Sequence, residues 1–148
     1  MDKLTIAARR GKAILRIAAA AALLLAAAGS ARADAVSDIK AVIEDQIAAF
    51  AAGDAHRAFA HASPGIQAQM GSSATFMLMV ESGYSALIGP KAFEILDVVE
   101  DGDTAAAHAR VIAADGRAYE ALYPLKRQAN GQWRIDGCHL RPARGQSL

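Results

Sequence analysis

The chain has only one cysteine among its 148 residues, so it cannot form an internal disulfide. Aromatic residues make up only 5% of the sequence, and few of them lie beside basic residues. Proteins that bind nucleic acid rely on positive patches and aromatic stacking surfaces. The sequence therefore predicts no nucleic-acid partner, and a fold that depends on its apolar core alone.

Residues 1–33 have the composition of an export signal. Five of the first 16 residues are basic, and residues 17–29 then carry no charge. This apolar run is shorter than the roughly 20 residues that a membrane-spanning helix needs. Ala31 and Ala33 provide the small side chains that a signal peptidase accepts. We therefore expect cleavage after Ala33, a periplasmic or secreted product, and no stable membrane anchor.

Residues 34–148 are long enough for a single domain with a substantial core. The formal net charge of +1 for the whole chain is misleading, because the leader holds six of its 16 basic residues and one of its 15 acidic residues. The remainder has 10 basic and 14 acidic residues. We expect a mildly acidic domain.

The first half of this domain has the periodicity of helices. Apolar residues between positions 39 and 50 recur on one helical face, with Ser37 as the predicted N-cap and Gly53 as the predicted stop. A short helix is expected over residues 55–62 with Asp54 as its N-cap, ended by the proline in Ser63-Pro64-Gly65. A third is expected from a cap at Ser73 to the Gly89-Pro90 stop.

The second half has the pattern of an antiparallel sheet. The dipeptides Asp101-Gly102, Asp115-Gly116 and Asn130-Gly131 are typical of tight hairpin turns. They divide the tail into four predicted strands, at residues 92–100, 104–113, 117–128 and 132–141. Helices followed by a four-stranded meander predict an α+β fold in which the helices cover one face of the sheet.

The segment from Ile47 to Gln67 resembles the nuclear transport factor 2-like, or ketosteroid-isomerase-like, cone. A wider set of residues comprises Gln46, Phe50, Gly53-Asp54, Ala58-Phe59-Ala60, Ser63-Pro64, Gly83-Tyr84 and Gly137-Cys138. With this set the chain more narrowly resembles a bacterial family known as domain of unknown function 4864. This resemblance implies helices on a curved, four-stranded, cystatin-like sheet, and it implies little about activity because the superfamily contains both enzymes and binding modules.

Cys138 and His139 raise the question of a nucleophile with its base, or of a metal site. Strict alternation along the last strand would mix apolar and charged residues on both faces. One extra residue at Gly137 removes this conflict, because a β-bulge shifts the alternation by one. We then expect Cys138 to face the core and His139 to face outward. Neither a metal site nor a catalytic residue is predicted.

Polar residues in a cone of this kind are candidate ligand contacts: Gln46, Tyr84, His108, Arg110 and Tyr123, with Tyr119 and Asp136 also considered. Gln46 interrupts an apolar stripe, so it either binds a ligand or ties its helix to the backbone of the sheet. His108 and Arg110 share one strand face and form either an anion-binding pair or part of a solvated or subunit-facing surface.

Three functions are compatible with this pattern, and no cofactor is predicted for any of them. The first is a non-catalytic exported domain that holds a small apolar or anionic ligand. The second is a homodimer or partner-binding module that uses the open sheet face. The third is an isomerase- or dehydratase-like enzyme, which needs a carboxylate base and a hydroxyl donor, here Asp97 or Asp136 with Tyr84 or Tyr123.

Overall fold

The computed structural model describes residues 32–145. The predicted export signal lies outside these residues except for Arg32 and Ala33, and the predicted cleavage point after Ala33 lies within them. From Val36 onward the described chain forms one compact unit. No helix within residues 32–145 is both long and apolar enough to cross a membrane.

Four α-helices precede the sheet. Helix α1 covers residues 32–51 of the described chain. Helices α2, α3 and α4 follow at Ala55–Ala60, Pro64–Met70 and Ser73–Gly83, and a 3-10 turn at Ser85–Leu87 leads into the sheet.

The predicted apolar stripe of α1 is confirmed. Ile39 and Ile43 have no exposed surface, and Ile47 and Phe50 are also buried. These side chains pack in one cluster with residues of α4 and of the sheet. The predicted N-cap at Ser37 is wrong, because the helix already includes residues 32–36.

Helix α2 ends at Ala60, before Ser63-Pro64-Gly65 as predicted, but helix α3 after it was not predicted. The Ser63 side chain accepts a hydrogen bond from the Ile66 amide, and Pro64 occupies the first turn. Proline is favoured at this position, since its missing N–H has no partner in the first turn anyway. Ser63 and Pro64 therefore start a new helix after the end of α2.

The other caps are close to the prediction. Asp54 caps α2 as expected, and its side chain accepts a hydrogen bond from the Arg57 amide. Helix α4 is capped by Ser72, one residue before the predicted Ser73. It ends at Gly83, so Tyr84 lies beyond the helix rather than on its face.

A curved, open antiparallel sheet follows. Its strands are β1 (Ala92–Asp101), β2 (Thr104–Ile112), β3 (Ala118–Arg127), β4 (Trp133–Ile135) and β5 (His139–Pro142). The order is β1-β2-β3, with β4 and β5 both paired to β3. The three predicted hairpin turns are present, and the glycine of each has a positive φ.

The last predicted strand is interrupted, so the sheet has five strands instead of four. Ile135 pairs with Leu125 and His139 pairs with Leu122. Three residues, 136–138, therefore face two on β3. The expected extra residue is present, and Gly137 in this break has φ 147°.

The helices cover one face of the sheet, as predicted. Ala107, Ala109 and Val111 of β2 are fully buried, and so are Ala121 and Tyr123 of β3. The alternate residues of β2 and β3, with their partners on β1, form the other face, which we call the outer face. It includes the exposed side chains of Val99 and Leu122.

Candidate functional site: a pocket between the helices and the sheet

A pocket of about 340 Å³ lies between the helices and the covered face of the sheet. Helices α1, α3 and α4 and the break between β4 and β5 all contribute to its wall. Most of this wall is apolar, and its main side chains are Phe50, Ile66, Met70, Phe76, Met79 and Leu87. The arrangement is that of a small-molecule cavity, with a hydrophobic lining and few polar groups.

The structure brings together three of the five predicted ligand contacts. Gln46, Tyr84 and Tyr123 all line the pocket. They come from α1, from the end of α4 and from β3, so only the folded chain places them side by side. Asp136 and Cys138 join them from the β4–β5 break.

His108 and Arg110 do not belong to this site. They alternate with the buried Ala107, Ala109 and Val111 of β2 and therefore point to the outer face. His108 pairs with Asp97 of β1 and Leu122 of β3. Because β2 turns these two side chains away from the pocket, the five predicted ligand contacts do not share one site, and His108 with Arg110 remains a predicted pair on the outer face.

Gln46 is 4% exposed, and its Nε2 donates a hydrogen bond of 3.1 Å to the carbonyl of Ala58 in α2. The sequence suggested that Gln46 is hydrogen-bonded to the backbone of the sheet. The hydrogen bond instead joins helix α1 to helix α2. An unsatisfied buried amide would cost about 1–3 kcal/mol. The hydrogen bond fixes the side chain in the pocket wall.

Tyr123 is fully buried, and its hydroxyl has no nitrogen or oxygen hydrogen-bond partner among the described residues. Burial is the main cause that raises its pKa well above the ordinary value, so the hydroxyl stays protonated. The Cys138 thiol is the polar group beside it, but sulfur accepts hydrogen bonds weakly. The Tyr123 hydroxyl is thus buried against the Cys138 thiol, which is its weak hydrogen-bond acceptor.

Asp136 is held by two partners. Its Oδ1 accepts a hydrogen bond of 2.7 Å from Ser63 Oγ, and its Oδ2 lies 2.9 Å from Lys126 Nζ. Burial raises the pKa of this carboxyl, but the hydrogen bonds from Ser63 and Lys126 outweigh it and the pKa is lowered. A carboxylate that is paired in this way is a poor general base, so Asp136 is unsuited to the role that the isomerase-like mechanism needs.

Cys138 packs against the core, as predicted, and the neighbouring His139 is exposed. Burial raises the pKa of the Cys138 thiol to about 12. The thiolate is the nucleophilic and metal-binding form of cysteine. The pair therefore lacks the chemistry of an activated thiol.

The sequence did not indicate that α3 contributes to the pocket. Ile66, Gln69 and Met70 line it, and all three belong to the helix that was not predicted. The sequence signal that could have indicated this helix was Ser63 followed by Pro64, because serine at the N-cap and proline after it are typical of a helix start. Within residues 32–145, no group of three or more His, Cys, Asp and Glu side chains could hold a metal ion.

The comparisons with known proteins agree with this architecture. The family model described as "Domain of unknown function (DUF4864)" matches residues 32–148. The chain belongs to this family. Among curated proteins, none matches the chain.

Solved structures show that this DUF4864 protein has a nuclear transport factor 2-like fold. One is an NTF-2 like protein of unknown function from Silicibacter pomeroyi DSS-3, at 20% identity and a TM-score of 0.56, covering 76% of this chain and 98% of that chain. Another, from Shewanella baltica OS155, has 13% identity and a TM-score of 0.54, covering 75% and 97%. At these identities the likeness establishes the fold alone.

Proposed function

We propose that this DUF4864 protein binds a small, mostly apolar molecule in the pocket between its helices and its sheet. The observation that carries the proposal is the cavity of about 340 Å³, which is walled by apolar side chains from three helices. Export, which residues 1–33 predict, is part of the proposal. Such a domain would act by holding its ligand and not by transforming it.

The apolar lining supports this function because apolar surface is removed from water when an apolar molecule binds against it. Such burial contributes about 25 cal/mol for each Å² of apolar surface. The poor basicity of Asp136 supports binding over catalysis.

Filling the pocket tests the proposal. We expect Met79→Trp to weaken binding of the neutral apolar fluorophore N-phenyl-1-naphthylamine by about tenfold or more, because Met79 lines the pocket and the larger ring would occupy its space. Fluorescence titration measures this affinity. Leu78→Trp is the matched control, since the adjacent Leu78 is 66% exposed. Absence of probe binding to the unmodified protein, or equal affinities in both variants, would contradict the proposal.

A second candidate function is self-association through the outer face. Val99 and Leu122 are exposed there, at 58% and 43%. Beside them Arg141 contacts Glu120, and Glu120 pairs in register with Arg110. A face that combines apolar side chains with alternating charges can complement a second copy of itself related by a two-fold axis.

Self-association would be sensitive to a charge at the centre of this face. We expect Leu122→Glu to lower the dimer association constant by about tenfold or more, because it places a desolvated charge in the contact. Sedimentation equilibrium at several protein concentrations measures this constant. Leu78→Glu, at the exposed leucine of α4, should leave it unchanged. A strictly monomeric unmodified protein would refute this candidate function and leave the binding proposal intact.

A further inference from the structure

The side-chain amide of Gln46 leaves a hydrogen-bond acceptor free in the pocket wall. Its Nε2 donates to the Ala58 carbonyl, and only the NH₂ end of an amide can do so. The other end, Oε1, has no hydrogen-bond partner among the described residues, and it is not one of the unpaired atoms that are closed off from solvent. Gln46 is only 4% exposed and lines the pocket. The accessible side of Oε1 therefore faces the pocket.

Two donors of the same wall are already used within the protein. The Tyr123 hydroxyl is buried against the Cys138 thiol, and Gln46 Nε2 is bonded to α2. A ligand that covers Oε1 takes it out of contact with water, and a buried acceptor without a donor is unfavourable. A ligand that brings a hydroxyl group to Oε1 compensates this loss, whereas a hydrocarbon does not.

The charges of the wall disfavour ions of either sign. Among the described lining residues there is one carboxylate, Asp136, and no lysine or arginine. An anion would therefore lose its hydration without gaining a lysine or arginine partner. A cation would find the Asp136 carboxylate already paired with Lys126. An uncharged ligand fits this wall best, which argues against the anionic half of the ligand class that the sequence suggested.

We propose that the pocket selects an uncharged, mostly apolar molecule that carries a hydroxyl group, and that Gln46 Oε1 accepts the hydrogen bond of this hydroxyl. The inference rests on the proposed binding function and specifies its ligand class. Gln46 is then the specificity-determining residue, and the apolar side chains of α3 and α4 hold the rest of the molecule.

Gln46→Met tests the selection, because methionine has a similar length and lacks both polar ends of the amide. The Ala58 carbonyl keeps the His61 amide as a partner in this variant, at 3.3 Å. The probes are 1-adamantanol and 1-methoxyadamantane, which share the ether or alcohol oxygen but differ in the donor. We expect the variant to lower the affinity for the alcohol relative to the ether by about fivefold, since a net hydrogen bond between neutral groups contributes about 1 kcal/mol.

Displacement of N-phenyl-1-naphthylamine measures both affinities. Comparing the alcohol-to-ether ratio between two proteins removes the different costs of taking the two molecules out of water. Gln67→Met is the matched control, because Gln67 Nε2 also donates to backbone carbonyls, those of Phe59 and Ala62, but Gln67 does not line the pocket. This control should keep the ratio of the unmodified protein.

A second measurement uses the unmodified protein alone and does not depend on the folding of a variant. Carbon NMR of the Gln46 side chain reports on its carbonyl group. The alcohol should move the Cδ resonance downfield, because accepting a hydrogen bond polarises the carbonyl, and the ether should not. Neither probe has an aromatic ring whose currents would move this resonance.

The outcomes separate this inference from the proposed function. An unchanged alcohol-to-ether ratio in Gln46→Met, or an equal fall of the ratio in Gln67→Met, would overturn the selection and leave the binding function standing. The same Cδ shift with both probes would also overturn it. Tighter binding of adamantane-1-carboxylate than of the alcohol at neutral pH would overturn it in favour of an anionic ligand. Failure of all these molecules, including the fluorophore, to bind would overturn the proposed function itself.

Discussion

The Cys138 thiol of the native protein should react with an aromatic disulfide reagent at least about a hundredfold more slowly than the same thiol in the unfolded chain. Burial raises its pKa to about 12. Because the thiolate is the reacting species, each unit of that increase lowers the reactive fraction tenfold at neutral pH. The protein around the thiol also restricts the access of the reagent, which slows the reaction further. Absorbance measurements with and without concentrated guanidinium chloride give both rates.

His139→Ala is the control for this experiment. His139 is exposed and belongs to β5, whereas Cys138 packs against the core. The native rate should therefore be the same in this variant. Rapid native labelling with a midpoint below the unperturbed thiol value of about 8.5, together with slower labelling after His139→Ala, would indicate an activated thiolate. The enzyme hypothesis would then take precedence over ligand binding.

Ile43→Ala should lower the free energy of unfolding by about 2–5 kcal/mol. Ile43 has no exposed surface and lies in the middle of the α1 stripe, within the cluster that joins the helices to the sheet. Truncation removes three buried carbon atoms and leaves a cavity that the surrounding sheet cannot fully close. Urea-induced unfolding, followed by circular dichroism, measures the loss as a lower midpoint with an unchanged slope.

Glu44→Ala is the neighbouring control. Glu44 is exposed on the opposite side of α1, and surface substitutions of this kind usually change stability by less than about 0.5 kcal/mol. If Ile43→Ala also changed it by less than half a kilocalorie per mole, this face of α1 would not be the core.

Much of the fold could be read from local pattern. The α1 stripe has the period of a helix, and the three turn dipeptides carry glycines at positions that need positive φ. The one-residue bulge followed from the mixed character of the last strand. Helix α3 could not be found by periodicity, because it has no buried residue. The sequence evidence for α3 was its start, Ser63 followed by Pro64, and not an apolar periodicity.

Only part of the candidate site could be predicted from the sequence. Tyr123 and His108 lie on neighbouring strands and were both plausible contacts, yet the register places them on opposite faces of the sheet. The role of Asp136 depends on Ser63, 73 residues earlier in the chain. A pattern within a short window contains no information about such a partner.

The connection between α3 and the β4–β5 break also has a consequence for the order of folding. The bridge between Ala62 and Ile135 and the hydrogen bond between Ser63 and Asp136 each join residues 73 positions apart. Closing a loop of this length costs entropy before the contact returns any stability, and such distant contacts are associated with slow folding. During synthesis, a chain whose Ile135 has not yet left the ribosome therefore cannot complete the pocket wall beside α3. Formation of the pocket should be a late step of folding, and it should mark the point at which the last strands have joined the sheet.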